Sequence, residues 1–167
     1  LFMVLVVVFI DFFASIFLKQ KVYLEGLYIV PVILLANLFS GIYSNLAVWY
    51  KLTDKTRFGM YISIFGGMLT IVSLYILIPL FGILGAAYAT LFTYFSMAVI
   101  SWFFGKNHYA IPYEISKISA MLLVCVLISQ VSFYLFRGQY LINFGLVLLY
   151  LGFLWILLKK DIRLALN

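Results

Sequence analysis

Carboxylates are scarce in this chain: five Asp and Glu stand against eleven Lys and Arg, and charged residues make up 10% of 167 positions. A soluble domain carries about 25% charged residues, so so few charges exclude an ordinary water-facing surface. Histidine occurs once, at His108, which excludes a His-based metal cluster. Cysteine also occurs once, at Cys125, so no disulfide can form within the chain. Cys125 lies in an apolar run with no nearby His or Asp to activate it, and reads as a small buried hydrophobe. The start lacks the basic segment and small-residue cleavage site of a signal peptide. With Leu1 in place of an initiator Met, it reads as a cut inside a longer protein.

What fills the chain instead is apolar: 67% of residues are hydrophobic, against roughly 45–50% in soluble domains. One core cannot hide that much apolar side chain, so the expected solvent is a lipid bilayer. Six runs approach the ~20 residues that cross hydrocarbon: 1–18, 27–50, 58–79, 83–104, 117–136 and 140–158. They are continuous rather than alternating, which favours helices over a barrel. The expected fold class is an all-α integral membrane protein with six transmembrane helices.

Basic residues set the expected orientation. Lys51, Lys55, Arg57, Lys106, Lys117, Lys159, Lys160 and Arg163 fall on one side; Lys19, Lys21 and Arg137 fall on the other. The richer side is expected to be cytoplasmic, with the C-terminal tail KKDIRLALN on it and near anionic headgroups. These cations sit in short loops between apolar runs, not on a soluble face, so no nucleic acid is expected as a partner. Tyr and Trp at run ends, including Tyr23, Tyr28, Trp49, Tyr50, Tyr109, Tyr113 and Tyr140, fit interfacial belts.

Few polar residues interrupt the spans. Asp11 lies eight residues before Lys19, about 12 Å below the interface at 1.5 Å per residue. It reads either as a cavity carboxylate for a cation, a proton or a polar headgroup, or as a structural Asp bonded to a neighbouring helix or beside a wet vestibule. Asn37, Ser40, Gly41, Ser44 and Asn45 share one face of span two. That stripe reads either as a helix-packing seam or as the lining of a substrate path. Pro31 opens span two at little cost, and Pro79 is expected to end span three. Gly66, Gly67, Gly82, Gly85, Ala86 and Ala89 are small residues that let helices touch. Glu114 and Lys117 are spaced to pair at the start of span five. Spans five and six, with Gln130, Asn143, Gly145 and Gly152, read as lipid-facing.

Two stretches carry a resemblance: YIVPVILLANLFSGIYSNLAVWYKLTDKTRFGM, and the helix ending IPLFGILGAAYATLFTYF. They resemble the C-terminal half of bacterial polysaccharide flippases, exporters of lipid-linked oligosaccharide in the multidrug/oligosaccharidyl-lipid/polysaccharide superfamily. The turn before Thr56 and the Ile78–Thr90 junction match best, over roughly residues 1–105. The resemblance implies helices nine to fourteen of a fourteen-helix transporter. Residues 1–105 would then belong to the C-terminal transporter bundle, 106–116 to a cytoplasmic loop, and 117–167 to two added helices and a basic tail. It implies alternating access in lipopolysaccharide and polysaccharide biosynthesis at the bacterial inner membrane. The implied partners are the lipid bilayer, the lipid-linked oligosaccharide and the missing N-terminal half. No enzyme activity, catalytic residue, cofactor or metal is implied; Asp11, Asn37, Ser44 and Asn45 are the substrate-path candidates. No span carries a central Lys or Arg to meet a pyrophosphate, unlike many members of that family. A cation-coupled multidrug exporter of the same superfamily is the alternative. A membrane-embedded polymerase or acyltransferase is the third reading, with no reactive constellation to support it.

Overall fold

A computed structural model describes residues 2–17, 26–108, 115–136 and 139–165. Among the described residues the chain is helical throughout, with no strand. The helices are α1 (Phe2–Val8), α2 (Ile10–Phe17), α3 (Val30–Leu46), α4 (Val48–Leu52), α5 (Thr56–Phe81), α6 (Ile83–His108), α7 (Ile115–Leu135) and α8 (Tyr140–Ala165). Among the described residues, three stretches are long and apolar enough to cross a membrane: Gly26–Leu52, Thr56–Phe81 and Ile83–Lys106. Two shorter apolar helices, Ser119–Leu135 and Leu141–Leu157, accompany them. A span of 26 residues is about 39 Å long, ample for ~30 Å of hydrocarbon. This is a helical membrane protein.

The first run is two short helices that abut at Phe9. The hydrogen-bond ladder passes through the break, with Phe9 N–H on Leu5 O at 3.1 Å and Phe13 N–H on Phe9 O at 3.0 Å. A similar break at Ala47 divides α3 from α4, bridged by Ala47 N–H on Tyr43 O at 2.8 Å. Pro79 does not end α5, contrary to the sequence expectation: the helix runs through it to Phe81. A proline in the last turn forfeits one backbone bond and leaves most of the ladder intact. Gly82 is the stop. Its φ of 57° and ψ of −132° suit a residue without a Cβ, and its N–H closes on Ile78 O at 2.8 Å.

The helices form two compact units, one of residues 1–27 and 113–167, the other of 28–112. Span one packs with α7 and α8, and spans two to four make up the other unit. In the first unit α1 contributes Val4, Val7 and Val8, α7 contributes Cys125, Ile128 and Phe133, and α8 contributes Val147 and Tyr150, all buried. Spacings of three, four and eight residues place each set on one helix face.

In the second unit α6 is central, with α3 and α5 each packed along it. Small residues make this possible: Ala36 on α3, and Ala87, Ala89 and Ala98 on α6, are buried. On α5 only a narrow line of Gly59, Ile62, Gly66 and Ser73 is buried. The rest of α5 exposes Ile64, Phe65, Met68, Ile71, Val72 and Ile76. Such a surface is stable against hydrocarbon, where apolar exposure carries no cost.

Candidate functional site

In unit two, α3 has two unlike faces. One packs on α6 through buried Ala36 and through Phe39, whose ring meets Phe95 edge-on at 5.2 Å. The other bears Asn37, Gly41, Ser44 and Asn45, all exposed. At 100° per residue these four fall within one side of the helix, continued by exposed Ile33 and Val48. The stripe is therefore not the seam that holds α3 to α6. Away from the stripe, Leu35, Phe39, Leu77, Tyr88, Leu91, Phe92 and Phe95 line an apolar recess of about 480 Å³. Amide and hydroxyl groups on the stripe can donate and accept hydrogen bonds; the recess offers dispersion contacts alone.

Asp11 belongs to unit one, half-buried in the first turn of α2. The other expected path residues, Asn37, Ser44 and Asn45, all belong to unit two. Among the described residues no group of three His, Cys, Asp or Glu is placed to hold a metal ion. Cys125 is buried in α7. The pairing of Glu114 with Lys117, and the positions of Lys19, Lys21, Tyr23, Tyr109, Tyr113 and Arg137, lie outside the described residues.

The small-residue candidates divide by environment. A Cβ on Gly66 would collide with the Met97 sulfur, and one on Gly85 with the Leu77 carbonyl. Ala89 is fully buried and Ala86 is half-buried, its carbonyl accepting from Thr90 Oγ1 at 2.9 Å. Gly67 and Gly82 have nothing within 4 Å of a built Cβ. Gly82 is needed for its backbone angle instead.

Three features escaped the sequence reading. Thr70 on α5 reaches Thr93 on α6, oxygen to oxygen at 3.1 Å, while Thr93 donates to Ala89 O at 2.9 Å. Trp49 and Tyr50, expected to face a membrane interface, are both buried within the protein, under Gly105 and Gly59 respectively. A Cβ at Gly59 would come within 2.7 Å of the Tyr50 ring, and one at Gly105 within 2.9 Å of Trp49.

The third feature corrects the reading of α7 and α8 as purely lipid-facing. Asn143 is 2% exposed. Its side-chain amide donates to Phe136 O at 3.0 Å and to Val8 O at 3.4 Å, and its Oδ1 accepts from Ser132 Oγ at 2.9 Å. One side chain thus ties α1, α7 and α8 together. A buried amide in an apolar setting must be bonded, and here each polar atom is. Compared with known protein families, with curated proteins and with solved structures, the chain matches none.

Proposed function

We propose that this chain is the C-terminal part of a flippase that moves lipid-linked oligosaccharide across the bacterial inner membrane by alternating access. The observation that carries the reading is the two-sided α3. Asn37, Gly41, Ser44 and Asn45 form an exposed polar line within the membrane-length stretch Gly26–Leu52, away from an apolar recess of about 480 Å³. A substrate with a hydrated head and a hydrocarbon tail needs both environments at membrane depth. The polar line would replace water around the sugar hydroxyls while the tail stays in hydrocarbon. The resemblance of Tyr28–Met60 and Ile78–Phe95 to polysaccharide flippases supports the same reading.

In this account the chain spans the membrane six times, as helices nine to fourteen of the complete transporter. The Lys51–Arg57 turn and the C-terminus lie in the cytoplasm and the Gly82 turn outside, following the excess of Lys and Arg. The work is shielding and release, with no bond made or broken. Asp11, in the first turn of α2 in the other unit, is a separate candidate carboxylate.

Complementation in the full-length transporter tests the assignment. Asp11→Asn, Asn37→Leu and Asn45→Leu together should reduce surface polysaccharide at least tenfold at unchanged membrane abundance. Normal surface polysaccharide in that triple variant would refute these path residues. Drug resistance that collapses with the ion gradient, with polysaccharide intact, would instead identify a cation-coupled exporter using Asp11.

A further inference from the structure

Four cations gather at one end of unit two. Lys51 is in the last turn of α4, Lys55 and Arg57 flank the first residue of α5, and Lys106 lies near the end of α6. All four are exposed. Asp54 is the one carboxylate in these stretches.

A set of aromatic contacts brings them together. Trp49 is packed against Phe58 at 5.4 Å between centroids, and Phe58 against Phe104 at 5.6 Å. Gly105 lies against Trp49, and Gly59 against Tyr50. These contacts join α4, the start of α5 and the end of α6 into one cap. Lys51, Lys55, Arg57 and Lys106 are each within a few residues of it in sequence. The turn itself is fixed: Thr53 Oγ1 donates to Trp49 O at 2.8 Å, and Lys55 N–H donates to Tyr50 O at 2.9 Å. Asp54 takes a φ of 54°, tolerated by Asp better than by most residues. Lys106 lies over the Trp102 ring at 5.8 Å, an attraction between ammonium and ring face.

We propose that this cap is a binding surface for the headgroups of anionic phospholipids. The inference rests on the membrane-spanning helices and the charge at their end, and is independent of the flippase reading. Charge complementarity selects the occupant. Clusters of four or more Lys and Arg at the end of a membrane helix attract anionic headgroups. The cap is placed for it, because α5 and α6 both end there and both are of membrane length. Arg57 can bind a phosphate through two parallel N–H donors, and the lysines through single ammonium donors. The rigid aromatic floor holds these groups at the headgroup level, so less ordering is needed when lipid binds.

The test uses the full chain in bilayers of phosphatidylcholine, with trace spin-labelled phosphatidylglycerol or phosphatidylcholine. The fraction of motionally restricted label gives the preference. The wild-type chain should restrict phosphatidylglycerol several-fold more strongly, and the preference should shrink at high salt. The variant K51Q/K55Q/R57Q/K106Q should lose it. A single neutralisation should remove only part of that preference. The charge-keeping variant K51R/K55R/K106R should retain it, which separates charge from folding. Lys159→Gln, in unit one, should leave most of it. A quadruple variant that still prefers phosphatidylglycerol would overturn the proposal. So would equal loss in Lys159→Gln, which would mean undirected surface charge. Displacement of the labelled lipid by millimolar inorganic phosphate would overturn it too, since the site would then recognise free phosphate.

Discussion

The two units solve the same problem by different means. Helices in lipid gain little from burying apolar surface, because the surroundings are equally apolar. Unit two holds α6 against its neighbours by shape: Gly66 admits Met97, and Gly85 lies against the Leu77 carbonyl. Unit one instead places a fully bonded amide among three helices, through Asn143, Ser132, Phe136 and Val8. The first is steric and fails when atoms are added. The second is polar and fails when atoms of the right kind are removed.

That contrast can be broken from either side. The largest effect is expected from Gly85→Leu, which drives a side chain into the α5 backbone. Side-chain adjustment cannot relieve that collision, so the cost should reach or exceed ~3 kcal/mol. Membrane accumulation of the full protein should fall sharply, read by quantitative blotting of membranes. Asn143→Leu comes next. It keeps the volume but takes the acceptor from the Ser132 hydroxyl and the amide donor from the Val8 and Phe136 carbonyls, the latter still accepting from Gln139 N–H, at about 1–3 kcal/mol. A reduced unfolding midpoint in mixed micelles would register it.

Thr70→Val removes the hydroxyl contact to Thr93 while preserving shape. Interhelical hydrogen bonds in membranes average about 0.6 kcal/mol, so the same midpoint should shift only slightly. Gly67→Ala should be the mildest. Nothing lies within 4 Å of the added methyl, and alanine is the better helix former by about 1 kcal/mol. The expected result is an unchanged or slightly raised midpoint. A loss comparable to that of Gly85→Leu would show that this face of α5 is packed.

The sequence made the helical elements legible because ~20 apolar residues have few other ways to be arranged. The small-residue pattern also announced a close helix pair, though not which glycine meets which atom. Gly66 and Gly67 are adjacent and chemically identical; only the direction of each Cα separates the contacted one from the open one. Asn143 was visible as a polar residue, but its partners lie 11 positions away at Ser132 and 135 away at Val8. No local periodicity encodes pairings of that kind. Trp49 and Tyr50 misled for a related reason. Aromatic residues at a run end suit a membrane interface equally well as a tertiary plug, and the glycines that make room for the plug lie on other helices, Gly59 on α5 and Gly105 on α6.

The functional account depends most on α3 presenting its polar line to water at membrane depth. Thiol labelling tests this directly, in the full-length transporter on a Cys125→Ser background, with single cysteines at Asn37, Ser44 and Asn45. A membrane-impermeant, water-soluble maleimide should label these positions at least tenfold faster than cysteines replacing Ile64 or Ile71 on the lipid-exposed side of α5. Equal inertness at both sets of positions would mean that hydrocarbon or another helix covers the stripe, and would contradict the proposed path.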